Sequence, residues 1–289
     1  MPELPEIVVI AKQMDEILRG KMISDVCIFQ PKCLNRAEGD FRKYLPGKEI
    51  LQVKPLGKWI EIRCQKSARL LINLGMGGEV LYFENENDIS EKAKIIVRFD
   101  DGSGFFITLW WFGYFHLILN GEKNAMTDKL GPDALEISAQ DFKKILSGRR
   151  GNIKSFLLNQ RNIRGIGNFY IQEILFRAKI HPLTPINALS EKEIERLHAA
   201  IGDVLNRSIA LGSSSYELDF LGKKGGYSLR ELSFAYHENG ICPDCGIPTE
   251  KIKTGSNSQY ICPQCQALPA QQISVKKADF KPTKIMKSS

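Results

Sequence analysis

Cys242-Pro243-Asp244-Cys245 and Cys262-Pro263-Gln264-Cys265, two C-x2-C pairs with 16 residues between them, constrain the fold more than any other feature of this chain. Each pair can turn tightly enough to aim two thiolates at one metal ion, and the intervening segment is long enough for a hairpin. Four thiolates complete a tetrahedral shell and leave no open position for a substrate. The expected cofactor is therefore one structural Zn2+, holding a module too small for a core of its own. A redox role for either pair is the competing reading. The other cysteines, Cys27, Cys33 and Cys64, are scattered, and an odd total of seven argues against a secreted disulfide framework.

The rest of the chain divides by periodicity. Residues 5–19 place Ile7, Val8, Ile10, Ala11, Met14, Ile17 and Leu18 at near-helical spacing, with Gly20 as a stop. Short apolar runs follow at Val26–Phe29, Trp59–Ile62, Leu70–Leu74 and Val80–Phe83. Two more, Ile95–Phe99 and Phe105–Leu109, flank the turn signal Asp100-Asp101-Gly102-Ser103-Gly104. Residues 1–120 thus read as an antiparallel β-sandwich or barrel with one amino-terminal helix. From Ala139 the pattern turns helical. Ser190-Glu191-Lys192-Glu193 is a capping box for a helix reaching Ala210, and Asn168 can cap a helix over Phe169–Lys179. The preceding Arg164-Gly165-Ile166-Gly167 is a tight turn, so residues 150–180 read as helix, turns, helix. Gly212–Gly226 reads as a mobile loop.

The expected architecture is α+β and multidomain. It comprises a β-sandwich domain (1–130), a helical domain (139–235), a four-cysteine zinc hairpin (238–267) and a basic, disordered tail (268–289). The tail carries Lys276, Lys277, Lys281, Lys284 and Lys287 against Asp279. No apolar run reaches the length of a membrane span and the start lacks a signal peptide's regions, so a cytoplasmic protein with no membrane partner is expected.

A net charge of +7 favours an anionic partner without identifying it. The charge is concentrated: between Asp141 and Lys179 lie nine basic residues, Lys154 among them, and two acidic ones. A solvated surface is the usual source of such a run. Here glycine-exposed amides and a helix amino-terminus at Asn168 lie within it, a combination that grips phosphate.

The amino-terminus, Met1-Pro2-Glu3-Leu4-Pro5-Glu6, adds chemistry. Removal of Met1, which a small second residue permits, makes Pro2 a secondary amine beside the Glu3 carboxylate. An α-amino group titrates near pH 8, so roughly a tenth is neutral at pH 7, far more than of a lysine near 10.4. Such an amine can form a Schiff base with a sugar. The plainer reading is that Pro2 merely starts the chain, Pro5 opens a helix and the two glutamates favour its dipole.

With these pieces placed, the chain resembles the bifunctional DNA glycosylases of the formamidopyrimidine-glycosylase/endonuclease VIII (Fpg/Nei) family, closer to the Fpg branch. The resemblance is carried by Pro2-Glu3-Leu4-Pro5-Glu6, Gly57-Lys58-Trp59, Leu74-Gly75-Met76-Gly77-Gly78 and Phe112-Gly113. It continues through Leu130-Gly131-Pro132-Asp133, Gly165-Ile166-Gly167-Asn168-Phe169-Tyr170, Glu173, His181-Pro182 and the four cysteines. It implies a helix–two-turn–helix domain and a cleft holding damaged DNA with a flipped-out base. It implies that Pro2 attacks the sugar and that Glu3 serves as general acid. Lys58 and Asn168 then grip lesion phosphates, and Met76 and Phe112 fill the gap and wedge the opposite strand. It further implies a bacterial-type, nucleoid-associated monomer acting in base excision repair, with β- and δ-elimination cutting the strand. Taken singly, Lys58 is one more exposed lysine, Met76 and Phe112 are core residues, and Asn168 is a cap.

Departures fall on the DNA-facing surface. Asn73 stands where the family has histidine, and Lys94-Ile95-Ile96-Val97 where a strand bearing histidine and aspartate is expected. Leu109-Trp110-Trp111-Phe112 replaces a run with two arginines, one of which normally reaches the base opposite the lesion. Asn257 lies at or near the position of the zinc hairpin's phosphate-binding arginine. Two of four lesion-phosphate contacts are thus altered, and an arginine contact is worth more than a neutral amide one. The expectation is altered duplex engagement and substrate range. The alternative function is a noncatalytic, damage-sensing DNA binder.

Overall fold

The computed structural model describes residues 1–233, 235–236, 240–254 and 257–268. The expected basic tail from residue 269 onward lies outside the described residues, as does the side chain of Asn257.

Helix α1 (Leu4–Leu18) buries Ile7, Ile10, Ala11, Met14 and Leu18 of the expected stripe, while Val8 and Ile17 are half-buried. Pro5 sits in the first turn, where its missing N–H has no intrahelical acceptor. The Glu6 side chain reaches back to accept from the Glu3 amide at 2.9 Å. Gly20, at φ +85°, lets the chain turn away after Arg19.

Next come β1 (Ile23–Ile28), α2 (Glu38–Tyr44), β2 (Ile50–Leu56), β3 (Trp59–Cys64), β4 (Ala68–Asn73) and β5 (Glu79–Phe83). Then follow β6 (Ile95–Phe99), β7 (Gly104–Thr108) and β8 (Tyr114–Ile118). They form two antiparallel sheets, ordered β1-β6-β7-β5 and β2-β3-β4-β8, so the domain is a sandwich. Its core, with Val26, Ile62, Leu70, Val97, Phe105 and Phe115 at its centre, lies between the sheets and under α1. Strand β2 carries Pro55 and was not legible as a strand. It lies at a sheet edge, where a missing N–H leaves no ladder bond unmade.

The helical part contains α3 (Ala139–Leu146), α4 (Ile153–Leu158), α5 (Tyr170–Arg177) and α6 (Glu191–Ala210). The expected capping box is present: Glu193 Oε2 accepts from the Ser190 amide at 2.7 Å, and Ser190 Oγ accepts from the Glu193 amide. A second core gathers Phe142, Ile163, Tyr170, Ile174, Leu197 and Val204, and Leu4 of α1 is buried in it. One side chain at the start of the sandwich domain therefore completes the core of the other.

Two strands, β9 (Glu250–Thr254) and β10 (Asn257–Ile261), form the hairpin between the cysteine pairs. The segment expected as a mobile loop is instead pinned on both sides, a correction with a physical cause. Phe220 is buried in the sandwich core, its carbonyl accepts from the Tyr82 amide at 2.9 Å, and Gln13 bonds both Asp219 and Phe220. Among the described residues no helix is long and apolar enough to cross a membrane.

Candidate catalytic cleft and DNA interface

The start of α1 docks on the turn between α4 and α5. The Leu4 amide donates to the Gly165 carbonyl at 3.0 Å. Gly165, at φ +110°, also clears the Leu4 side chain, which would lie 2.7 Å from a Cβ there. The Gly167 amide then donates to Glu3 Oε2 at 2.7 Å and the Phe169 amide to Glu3 Oε1 at 3.0 Å. Both carboxylate oxygens are thus held by backbone, and Glu3 is only 5% exposed. Phe169, not Asn168, takes the cap position of α5. The expected cap is corrected accordingly: the turn amides meet the carboxylate of another element.

Lys58 reaches the same point from the β2–β3 hairpin. Gly57 opens that two-residue turn at φ +61°, and a side chain there would press on Arg164. A Cβ on Gly167 would lie 2.2 Å from Glu3 Oε1 and 2.4 Å from Lys58 Nζ, so glycine is what lets the acid and the ammonium converge. Behind them Asn73 donates to the Lys58 carbonyl at 2.9 Å and accepts from the Gly75 amide at 3.1 Å. Its polar atoms are engaged in fixing the loop that carries Met76.

Beneath Glu3 lies a buried network. Glu6 accepts from the Tyr170 hydroxyl at 2.5 Å and the Ser214 amide at 3.1 Å, and the Tyr170 hydroxyl also meets Ser208 Oγ at 2.6 Å. Burial raises the Glu6 carboxyl above its ordinary 4.5, although the Tyr170 bond opposes the shift. The Tyr170 phenol is pushed up as well, first by burial and then by Glu6.

A cleft of about 520 Å3 opens above these residues. Glu3, Glu6, Lys58, Met76 and Asn168 line it, joined by Phe169, Tyr216, Glu217 and Tyr236. Pro2 is buried beside Glu3, and the Met1 amine pairs with Glu217 at 2.9 Å. At the rim, Met76, Trp111 and Phe112 are 49%, 62% and 73% exposed. The Met76 amide donates to the Trp111 carbonyl at 2.9 Å, tying the two loops together, and Phe112 is held at φ +57°. So much apolar surface left in water marks a contact face. Lys154 lies apart from the cleft. It is 4% exposed, and its ammonium donates to Thr254 Oγ1 at 2.6 Å, joining α4 to the zinc hairpin.

The four cysteine sulfurs lie within 4.8 Å of one another, with Cys242 to Cys265 at 3.8 Å and Cys245 to Cys262 at 3.5 Å. A tetrahedral zinc with Zn–S bonds of about 2.3 Å spaces its sulfurs by about 3.8 Å, so the donor set fits the metal. The hairpin leans on α5 through Phe176, and Gln172 accepts from the Tyr260 amide at 3.1 Å.

Three sequence profiles match in order: the formamidopyrimidine-DNA glycosylase N-terminal domain over residues 1–108, its H2TH domain over 130–219, and the zinc finger found in FPG and IleRS over 242–268. A formamidopyrimidine-DNA glycosylase of Lactobacillus helveticus is 30% identical over 275 residues, covering 93% of this chain and 99% of that protein. One from Mycoplasmopsis pulmonis is 33% identical over 272 residues, covering 92% and 98%.

The chain belongs to the formamidopyrimidine-DNA glycosylase family.

Solved structures agree with this placement. The Lactococcus lactis FPG mutant G226P bound to Fapy-dG-containing DNA superposes with a TM-score of 0.84 at 28% identity, over 92% of this chain and 100% of that one. A complex of the Lactococcus lactis Fpg with abasic-site DNA gives 0.83 at 28% identity, over 92% and 99%. This formamidopyrimidine-DNA glycosylase family member is thus a DNA-repair glycosylase with abasic-site lyase activity and a structural zinc site. In it the fold brings Glu3, Lys58, Met76 and Asn168 into one cleft, sets Asn73 behind them and Trp111 and Phe112 at the rim, and keeps Lys154 away. Sequence reasoning missed the Glu6–Tyr170–Ser208 network, although Glu6 and Tyr170 stand inside the quoted motifs. It also missed Tyr216, Glu217 and Tyr236 as cleft residues, for which the local sequence carries no signal.

Proposed function

We propose that Pro2, freed by removal of Met1, is the nucleophile and Glu3 the proton donor of this glycosylase. Its lone pair forms a bond to the sugar C1′, and the damaged base leaves with the electrons of the glycosidic bond and takes up a proton. Glu3 protonates O4′ as the ring opens to an iminium. Loss of a C2′ proton expels the 3′ phosphate, a second elimination expels the 5′ phosphate, and water releases the sugar fragment from Pro2. The observation that supports this reading is the fixed Glu3 carboxylate, held by the Gly167 and Phe169 amides beside Lys58 and next in sequence to Pro2. Lys58 and Asn168 are assigned to lesion phosphates, and Met76 and Phe112 to the gap left by the flipped base. One chain suffices for the site, since a single chain supplies both walls of the cleft.

The substrate range is proposed to differ from that of the Fpg branch. Asn73 is engaged in its own loop, and the rim bears tryptophans where donor-rich side chains would read the opposite base. A tryptophan stacks on any base and discriminates weakly between them.

Borohydride trapping on abasic DNA tests the chemistry, alongside an intact-mass measurement of Met1 removal. A covalent adduct that disappears in Pro2→Gly supports the reading. No adduct on any lesion from protein that lacks Met1 overturns it in favour of the noncatalytic binder. A duplex panel varying the opposite base tests the range. An ordinary preference for 8-oxoguanine opposite cytosine would overturn that part.

A further inference from the structure

We infer that Trp110, Lys92 and Lys94 form a second nucleotide site, outside the catalytic cleft, that receives an unpaired nucleotide of the bound DNA. This rests on the DNA-processing reading above and names the class of DNA it favours.

Trp110 is 66% exposed and stands between two residues that are themselves engaged. Leu109 on one side is buried in the sandwich core, and Trp111 on the other is bridged to Met76. The indole lies over Gly77, within 3.8 Å of where a side chain on that glycine would begin. A cavity of about 390 Å3 opens beside it, lined by Gly77, Glu79, Ser90, Lys92, Thr108 and Trp110. A second, of about 320 Å3, adjoins it and is lined by Lys92, Lys94, Leu109 and Trp110. Each is large enough for a small ligand. Gly77 also lines the catalytic cleft, so the two sites share a wall.

Charge then selects the occupant. Among the described residues no ion pair engages the Lys92 or Lys94 ammonium. Arg98, in the strand β6 that Lys94 immediately precedes, is by contrast neutralised by Asp25 and Glu86. Two unneutralised cations beside an exposed indole supply what one nucleotide presents, an aromatic face and a phosphate. Glu79 lines the first cavity but not the second, which places the phosphate at the Lys94 end and the base over Trp110. A base can lie flat on an indole only when its own strand is unstacked there. The site therefore favours single-stranded, gapped or bulged DNA over an intact helix.

Fluorescence anisotropy with the full-length, zinc-loaded protein tests this, using a labelled single-stranded oligonucleotide and a paired duplex of equal length. Trp110→Ala is expected to weaken single-strand binding about tenfold and to change duplex binding less than about twofold, while Trp110→Phe retains most of the affinity. Lys92→Ala with Lys94→Ala should lower the salt dependence of single-strand binding by about 0.7 in the log–log slope, the value for one phosphate. Equal losses on both DNAs, or no loss on either, would overturn the proposal. Borohydride trapping at saturating DNA reports on Pro2 separately. A retained adduct with no effect of Trp110→Ala refutes the nucleotide site alone, and a missing adduct with an intact single-strand effect refutes the catalytic reading alone.

Discussion

The Gly167 amide and the Glu3 carboxylate, 164 positions apart in sequence, are joined by a 2.7 Å hydrogen bond at the junction of the two main domains. That junction has no room for a side chain. Gly167→Ala would drive a methyl group against both Glu3 and Lys58, and displacing a catalytic group by about 1 Å costs about 100-fold in rate. Single-turnover trapping should fall by at least about that factor, with the zinc content unchanged. A variant that traps at the native rate would contradict the assignment of Glu3.

Glu6 sets a pH dependence of stability. Its carboxyl titrates above the 4.5 of an unfolded chain because burial disfavours the charge. Between those two values the folded protein binds more protons than the unfolded one, so stability falls as pH rises through the window. Glu6→Gln removes this slope. Urea unfolding from pH 4.5 upward should show a decline in the wild type that is flattened in the variant, and parallel profiles would refute it.

Tyr170→Phe leaves two buried partners, Glu6 and Ser208, without the hydroxyl that joins them. An unsatisfied buried acceptor costs about 1–3 kcal/mol, and a charged one more. Denaturant midpoints should shift accordingly at neutral pH. A shift of less than about 0.5 kcal/mol, the low end for a single hydrogen bond, would show that the network contributes nothing.

Zinc should bind at one ion per chain, and Cys262→Ser should lose it. The hairpin would then release its contacts through Phe176, Tyr260 and Thr254, while the two large cores remain. Metal analysis with hydrogen exchange tests this. Protection is expected to vanish in β9 and β10 and to persist in α6.

Lys154→Met asks whether the buried ammonium acts on DNA directly. Burial lowers its pKa below 10.5, so the unfolded state binds more protons and the wild type gains stability as pH rises toward that value. Methionine should abolish this gain. The same variant is then titrated with DNA at several salt concentrations. A slope unchanged from wild type is expected of a group bonded to Thr254, whereas a slope lower by about 0.9 would assign it a phosphate contact.

Much of this molecule was legible in its sequence. The α1 stripe, the Asp100–Gly104 hairpin, the Ser190–Glu193 box and the spaced cysteine pairs are local signals, set by a period, a turn or a ligand spacing within a few residues. Glu3, Lys58, Met76 and Asn168, which line one cleft, stood out in the sequence only because the short motifs around them are distinctive. What they touch did not. Glu3 meets Gly167, Glu6 meets Tyr170 and Ser214, Lys154 meets Thr254, and Trp110 shares a cavity with Gly77 and Lys92. The first two depend on how the two cores dock through Leu4 and on how loop 212–226 is anchored by Phe220, and the others on packing between segments within one domain or against the zinc hairpin. The chain by itself determined which elements form and which groups carry charge, because those follow from neighbours in sequence. Tertiary structure alone decided which carboxylate is held, which lysine is buried and which aromatic faces water, because these turn on packing between segments far apart in the chain.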